Sequence, residues 1–232
     1  MPTPIHLLPT AALAERVLLP GDPGRALRLA QSLLGEPRMF NHNRGLWGYT
    51  GAAADGAPLT IQSTGMGGPS AAVVISELAD LGARRLLRVG TCGALDGALS
   101  LGDLLIVSES LARDGTSRAL GADGSLPADA DLLAALRAAG IPARSGPVVS
   151  TDLFYDGRPG EEQEWIGAGA IAVEMETATL FALAARRGLQ AAAVLVVSDL
   201  VQPERSRIDS DRLEQAERRM GELAARALAT VG

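Results

Sequence analysis

Four short segments place glycine, hydroxyl or charged residues at the ends of predicted strands. The first, Leu-Pro-Gly-Asp-Pro-Gly-Arg at 19–25, puts Gly21 before a helix and Arg25 in its first turn. Glycine lets backbone N–H groups approach an anion, and the N-terminal end of a helix dipole attracts negative charge. The segment therefore indicates an anion site, although an ordinary strand-to-helix turn has the same composition.

A second glycine turn, Ser-Thr-Gly-Met-Gly-Gly-Pro-Ser at 63–70, also joins a predicted strand to a helix. It is similar to a dinucleotide-binding fingerprint, which needs an acidic residue at the end of the next strand to bind a ribose hydroxyl. The next strand instead ends in Arg-Val-Gly-Thr-Cys-Gly at 88–93. Arg88 and Thr91 suit a phosphate better than a ribose diol, so a nicotinamide cofactor is disfavoured.

Carboxylates mark the other two segments. Glu174 and Glu176 lie where a strand enters a helix, and side chains two positions apart on extended backbone point the same way. Glu176 could accept both hydrogen bonds from a vicinal diol such as the ribose 2′,3′ pair, or both carboxylates could merely complement the helix dipole. Asp199 follows Ser198 at the end of a long apolar strand. Ligands of open α/β sheets bind at that edge, so Asp199 is placed for acid–base catalysis unless it is a solvated turn residue.

Short apolar runs alternate with helical patterns along the chain, which is typical of strand–helix–strand units. We therefore predict an α/β fold, with residues 1–232 forming a single-domain three-layer α/β/α sandwich around a central mixed sheet. The predicted strands are 16–19, 47–53, 58–63, 85–90, 104–109, 143–150, 170–174 and 191–198. The predicted helices are 24–34, 69–81, 129–139, 177–187 and 209–230, and 114–131 and 156–162 are predicted loops.

The amino-acid composition excludes several classes of function. The 232 residues are 47% hydrophobic, enough for a sizeable core, and the net charge of −6 argues against nucleic acid or an anionic membrane as partner. All 21 basic residues are arginines, which are bidentate donors suited to phosphate or carboxylate. One cysteine and two distant histidines, His6 and His42, argue against a metal site. Without a signal peptide or a long apolar run, we expect a cytoplasmic protein.

Taken in order, these segments resemble the hexameric or trimeric nucleoside phosphorylase family, which includes purine nucleoside phosphorylases and uridine phosphorylases. The resemblance runs from His6 to about Arg219. It is carried by Gly-Asp-Pro-Gly-Arg-Ala at 21–26, Gly-Met-Gly-Gly-Pro-Ser at 65–70, Arg-Val-Gly-Thr-Cys-Gly-Ala at 88–94 and Val-Glu-Met-Glu at 173–176.

The resemblance implies a role for each matching residue. The phosphate site would consist of Gly21, Arg25, Arg88 and Thr91, with Arg44 supplied by a neighbouring subunit. His6 would cross the same interface to the ribose 5′-hydroxyl. The remaining nucleoside contacts would be Met66, Phe154, Glu174, Met175, Glu176 and Ser198. From the residues alone, Met66 and Phe154 could equally be core side chains and His6 part of a frayed terminus.

The base-binding segments favour a purine over a pyrimidine. Uridine phosphorylases of this family read uracil with a Gln-x-Arg pair after Phe-Tyr, whereas Arg158 and Gly160 occupy those positions here. Their potassium-binding glutamate is also absent, because Gly45 follows Arg44. Segments 113–117 and 176–180 look similar to uridine phosphorylases, so that activity remains the alternative.

Ser198 and Asp199 match the purine enzymes, whose aspartate protonates N7 of the leaving base. Arg212 resembles the arginine that assists it, so Asp199 and Arg212 are the expected catalytic residues. The implied reaction is phosphorolysis of purine (deoxy)ribonucleosides, with inorganic phosphate as co-substrate and no metal or organic cofactor.

The implied assembly is a homo-hexamer, a trimer of dimers whose sites are shared across the dimer interface. Three other readings stay open. Methylthioadenosine phosphorylase and nucleoside hydrolase are enzymatic alternatives, although a hydrolase has no use for Arg25 and Arg88 as a phosphate cage. The third reading is a non-catalytic nucleoside-binding protein.

Overall fold

The computed structural model of the chain describes residues 4–155, 157–202 and 204–231. Asp156, the first residue of the second predicted loop, lies outside them. The strands are β1 (Arg16–Leu19), β2 (Gly35–Asn41), β3 (Gly48–Ala52), β4 (Pro58–Gln62), β5 (Arg85–Ala94), β6 (Leu104–Ala112), β7 (Ser125–Pro127), β8 (Arg144–Ser150), β9 (Ala172–Glu174), β10 (Gln190–Leu200) and β11 (Ser206–Arg207). The helices are α1 (Pro23–Leu33), α2 (Gly67–Leu81), α3 (Gly115–Ala119), α4 (Ala130–Ala138), α5 (Glu161–Gly167), α6 (Thr177–Arg187) and α7 (Ser210–Thr230).

All of these strands belong to one mixed sheet. β1 lies between β4 and β5 and is parallel to both, and β5 is also parallel to β10. β10 pairs antiparallel with β6, and β6 is parallel to β8. The expected α/β fold with a central mixed sheet is therefore confirmed. Because β1, β5 and β10 are parallel, their carboxyl ends meet at one edge.

Helices cover both faces of the sheet. α7 packs on α1 and α4, whereas α6 packs on α2 and α3. Every residue of β10 from Ala191 to Asp199 is buried, which agrees with a strand covered on both sides. This central strand is long and rigidly packed, so the residues at its carboxyl end are held firmly.

The structure contains elements that the sequence pattern did not predict. α3 and β7 lie within the predicted loop 114–131, whereas α5 begins at the end of the predicted loop 156–162 and extends beyond it, and β2 follows α1 directly. α3 has only five residues, and its N-cap Asp114 accepts a hydrogen bond from the Ser117 amide at 2.7 Å. α5 begins with three glutamates in its first turn and buries Trp165. Helices this short carry too few turns for an apolar period to be recognised.

Among the described residues, the model has no helix with the length and apolar character needed to cross a membrane.

Candidate active site

A cavity of about 930 Å³ opens at the carboxyl ends of β1, β5 and β10. Most of the site residues predicted from the sequence line it: Gly21, Arg25, Met66, Arg88, Thr91, Phe154, Glu174, Met175, Glu176, Ser198 and Asp199. His6, Arg44 and Arg212 are absent from the lining. Gly21 and Asp199, which are 178 positions apart in the sequence, thus line the same cavity.

Two glycine turns form one wall of the cavity. The Gly65 amide donates to Gly21 O at 3.1 Å, so the turn after β1 and the turn after β4 lie side by side. A Cβ on Gly21 would stand 3.1 Å from Gly65 O, and Gly65 and Gly67 have positive φ angles of 72° and 81°. Larger residues would separate the turns or strain them. The glycines therefore allow the close backbone approach that an anion site needs.

Arg88 is buried beside two carboxylates. Its Nε donates to Glu174 Oε2 at 2.9 Å, and its Nη2 lies 2.5 Å from Glu176 Oε2. Burial opposes the charged form, but the two carboxylates outweigh it and the pKa of Arg88 lies above its ordinary value. Its Nη1 has no hydrogen-bond partner among the described residues. Arg88 is thus a permanent cation with a donor to spare at the cavity wall.

The two glutamates differ in what they bind. Glu174 accepts hydrogen bonds from Arg88, from Ser150 Oγ and from the amides of Glu176 and Thr177 at 2.9 and 3.0 Å. Its oxygens are saturated by the protein, so it anchors the start of α6. Glu176 accepts from the Gly67 amide at 2.5 Å and pairs with Arg88. Burial raises the pKa of Glu176 although Arg88 opposes this.

Arg25 is the second buried cation of the cavity. Asp22, the N-cap residue of α1, helps to position Arg25, because its side chain accepts a hydrogen bond from the Arg25 amide at 2.6 Å. Its guanidinium Nε donates to Glu217 Oε1 at 2.7 Å, and the other oxygen of Glu217 accepts from Arg28 at 2.7 Å. Sequence reasoning missed Glu217. The only feature of the sequence that could have indicated it is an acidic residue on the side of α7 that faces the core.

Asp199 lies near the end of β10, next to a β-bulge where the register with β5 shifts between Val197 and Asp199. Bulges commonly re-aim side chains near functional sites. Ser198 Oγ donates to Asp199 Oδ2 at 2.7 Å. Asp199 Oδ1 lies 3.1 Å from Arg207 Nε, but without the alignment of a hydrogen bond. One oxygen of this nearly buried carboxyl therefore has no hydrogen-bond partner among the described residues, although the charge of Arg207 lies beside it.

The structure does not place Arg212 next to Asp199. Arg212 lies in the first turn of α7, and its Nη2 donates to Leu101 O at 3.2 Å. The arginine against Asp199 is Arg207, because β11 folds back along β10 and pairs Arg207 with Asp199 across the strands. Distance along the chain could not reveal this reversal, and the assistance expected from Arg212 stays a prediction.

Phe154 lies at the mouth of the cavity. Its side chain is half-exposed, Arg205 stacks over its ring at 4.6 Å, and Tyr155 meets it edge-on at 4.8 Å. Met66 is also exposed, at 84%. Neither residue belongs to the core, so both are available to contact a ligand.

His6 is anchored outside the cavity. Glu77 accepts hydrogen bonds from the amides of His6 and Leu7 and lies 2.7 Å from His6 Nδ1. Asn43 Nδ2 donates to His6 O at 2.9 Å, which ties the segment to the turn that carries Arg44. His6 is therefore not part of a frayed terminus. Arg44 has a left-handed backbone, with φ of 57°, a conformation that a non-glycine residue adopts only where the surroundings enforce it.

Two further features bear on the chemistry of the cavity. Burial raises the pKa of the Cys92 thiol, so this cavity residue stays protonated and is a poor nucleophile. No cluster of three or more potential metal ligands among His, Cys, Asp and Glu occurs in ranges 4–155, 157–202 and 204–231. The charged groups that a ligand meets are those of arginines and carboxylates.

Comparison with known proteins identifies the family. The model of the phosphorylase superfamily matches residues 15–230. A DeoD-type purine nucleoside phosphorylase of Jannaschia sp. is 40% identical over 194 residues, 81% of this chain and 82% of that protein. A guanosine phosphorylase of Halorubrum lacusprofundi is 38% identical over 204 residues, 85% of this chain and 83% of that protein.

The fold is also found among solved structures. A uridine phosphorylase from Vibrio fischeri, complexed with 6-hydroxy-1-naphthoic acid, superimposes with a TM-score of 0.85 at 27% identity, covering 94% of this chain and 93% of that one. The family model and the relatives show that the chain belongs to the phosphorylase superfamily, and its fold agrees.

Proposed function

We propose that this protein is a purine nucleoside phosphorylase, which uses inorganic phosphate to split purine (deoxy)ribonucleosides into free base and (deoxy)ribose 1-phosphate. One observation carries the proposal: a single cavity holds two buried arginines, Arg25 and Arg88, together with Glu176 and the buried acid Asp199. Relatives at 37–40% identity carry the name purine nucleoside phosphorylase. A phosphate cage and an acid for the leaving base are what this reaction requires.

Phosphate binds against the glycine turn at Gly21, where Arg25, Arg88 and Thr91 neutralise and hold it. Arg88 contributes the Nη1 donor that has no partner among the described residues. Ribose lies above the phosphate, and Glu176 accepts hydrogen bonds from its 2′- and 3′-hydroxyls. Met66 and Met175 contact the sugar, whereas Phe154 packs on the base. Positioning of the two reactants supplies much of the rate.

The C1′–N9 bond breaks ahead of phosphate attack, which gives an oxocarbenium-like sugar. Phosphate stabilises that charge, and one of its oxygens then bonds to C1′. The electron pair of the broken bond leaves with the purine, and Asp199 transfers its proton to N7. Ser198 holds the carboxyl through its 2.7 Å hydrogen bond. The reaction proposed here needs no metal or organic cofactor.

We also propose that two subunits share their sites and that the dimers assemble as a homo-hexamer. His6 and Arg44 lie outside their own cavity, tied together through Asn43. The exposed apolar side chains Ile5, Leu8, Met39 and Trp47 come from the same segments of the chain. Burial of these side chains by a second subunit would deliver His6 and Arg44 to its cavity. We place the enzyme in the cytoplasm, which suits a single unpaired cysteine.

Uridine phosphorylase is the second candidate, favoured by the fold of the Vibrio fischeri enzyme. In this chain, however, Arg158 is committed to Glu164 through two contacts of 2.8 and 2.6 Å. Its guanidinium is therefore not free to read a uracil edge.

The test is to incubate the purified protein with inosine, adenosine, methylthioadenosine and uridine, each with and without phosphate, and to measure the base released. We expect purine release that depends on phosphate. Release from uridine alone would replace the proposal with the second candidate. Release without phosphate would make the protein a hydrolase.

A further inference from the structure

We propose that Arg207 makes this site selective for 6-oxopurine nucleosides, such as inosine and guanosine, over 6-aminopurine nucleosides such as adenosine. The inference rests on the proposed function, because it takes Asp199 to face N7 of a purine. It goes further by assigning the chemical class of the base to a residue that the sequence analysis did not single out.

The position of Arg207 is set by the backbone. β11 runs antiparallel to β10 and places Arg207 directly across from Asp199. The Arg207 side chain lines the cavity and its Nε lies 3.1 Å from Asp199 Oδ1. In the arrangement proposed here, a purine whose N7 contacts Asp199 presents its neighbouring C6 substituent to Arg207.

The guanidinium of Arg207 is available for a ligand. It has five N–H donors, and none of them makes a hydrogen bond to another residue in the described part of the chain, since the approach to Asp199 lacks the required alignment. The other arginines nearby are engaged. Arg205 stacks on Phe154, Arg158 pairs with Glu164, and Arg212 donates to Leu101 O.

Purine chemistry then decides the selectivity. N7 and the substituent at C6 lie side by side on one edge of the base: guanine and hypoxanthine present O6 there, an acceptor, whereas adenine presents an amino donor. A guanidinium only donates, so it pairs with O6 and opposes the amino group. It also stabilises the negative charge that spreads to O6 as the base leaves. Arg207 therefore favours 6-oxopurines both in binding and in the transition state.

The experiment measures kcat/KM for inosine and adenosine, at saturating phosphate, in the wild type and in Arg207→Met and Arg207→Gln. Methionine keeps the length but removes every donor, whereas glutamine can pair with either substituent. Arg218→Gln is the matched control, since Arg218 is an exposed arginine paired with Glu214 on α7. Because Arg207 is 72% exposed in its side chain, we expect all variants to fold, and the melting temperature checks this.

We expect the wild type to prefer inosine by about tenfold or more, and Arg207→Met to lower that preference by about tenfold, the scale of one well-placed base contact. Arg207→Gln should shift the preference toward adenosine, and Arg218→Gln should leave it unchanged. Equal losses for both substrates, or no change in their ratio, would overturn the inference.

Binding of free bases separates this inference from the proposed function. Calorimetric titration with hypoxanthine and with adenine, in the presence of phosphate, needs no turnover. One outcome is that the wild type releases no base from any purine nucleoside and still binds hypoxanthine more tightly than adenine, with this difference absent in Arg207→Met. In that case the proposed function fails and the selectivity stands. If the wild type binds the two bases equally, or binds neither, the selectivity of Arg207 is refuted.

Discussion

Arg25 and Glu217 stand 192 positions apart in the sequence, yet Arg25 Nε donates to Glu217 Oε1 at 2.7 Å beneath the cavity. The contact joins α1 to α7 and holds the Arg25 guanidinium at the wall of the cavity, where its Nη1 also donates to Val89 O at 3.4 Å. Both side chains are almost fully buried, so each needs the other to offset the loss of hydration. Glu217 is therefore a positioning residue for the proposed phosphate site.

Glu217→Gln should weaken phosphate binding more than it slows the reaction. Glutamine can still accept one hydrogen bond from Arg25 but does not balance its charge, so the guanidinium is held less firmly. We expect the KM for phosphate to rise about tenfold, the loss of a charge-assisted hydrogen bond, with a much smaller fall in kcat. Glu214→Gln on the exposed side of α7 is the control. A fall in kcat alone would contradict the positioning role.

Asp199→Ala should lower kcat for inosine about 10²- to 10⁴-fold, the usual contribution of general acid catalysis. The phosphate site lies on other residues, so phosphate affinity measured by calorimetry should stay within about twofold. Ser198→Ala should have a smaller effect, because the carboxyl remains but loses its 2.7 Å hydrogen bond. Near-normal turnover in Asp199→Ala would remove Asp199 from the mechanism.

Substitutions of Glu174 and Glu176 should have different effects, because Glu174 has a structural role and Glu176 a binding role. Glu174→Gln disturbs four contacts that hold Arg88 and the start of α6, and we expect it to destabilise the fold by about 2 kcal/mol in urea unfolding. Glu176→Gln should instead raise the KM for nucleoside and lower kcat/KM at least about tenfold with little change in stability. If Glu176→Gln lowered the stability and Glu174→Gln lowered kcat/KM, Glu176 would have the structural role and Glu174 the binding role.

Shared sites predict complementation between two inactive variants. In a dimer of Arg44→Ala with Asp199→Ala, one cavity combines its own Asp199 with Arg44 of the other subunit. Random assembly of equal amounts should restore about a quarter of wild-type activity, since half of the dimers are mixed and each has one intact site. Co-expression and an assay of the purified mixture test this. If each cavity is complete within one chain, the mixture stays as inactive as its components.

A salt bridge at the far edge of the sheet makes stability depend on pH. Two Arg16 nitrogens each contact Asp55 at 2.6 Å, and this pairing lowers the pKa of Asp55 from 3.8 to about 2. The lowered pKa means that the stabilisation is complete above pH 3.8 and disappears as the pH falls toward 2.

Asp55→Asn should therefore cost about 1 kcal/mol at pH 7, a value reduced for solvent screening because Asp55 is partly exposed. The difference from the wild type should shrink when urea unfolding is repeated near pH 3. A difference that does not change with pH would mean that the contact stabilises through packing and not through charge.

The segments that carry the chemistry could be recognised from the amino-acid sequence. The motifs fall at or next to the ends of predicted strands, and side chains at the carboxyl ends of parallel strands converge. This was enough to predict one edge of an α/β sheet as the common location of Gly21, Arg25, Arg88, Glu176 and Asp199. The structure gathers these residues in one cavity. Local pattern succeeded here because Gly21 and Glu176 lie between a strand and the helix that follows it directly, and Arg88 and Asp199 lie in the buried strands β5 and β10.

Which of these side chains contact each other depends on how the folded chain packs. Glu217 reaches Arg25 because α7 packs on α1, and Arg207 reaches Asp199 in place of Arg212 because β11 turns back on β10. Glu174 and Glu176 are chemically identical and both line the cavity, and only their hydrogen bonds show that Glu174 is saturated by the protein whereas Glu176 is not. These relationships depend on chain reversals and helix packing between distant segments, which leave no period or spacing in the sequence.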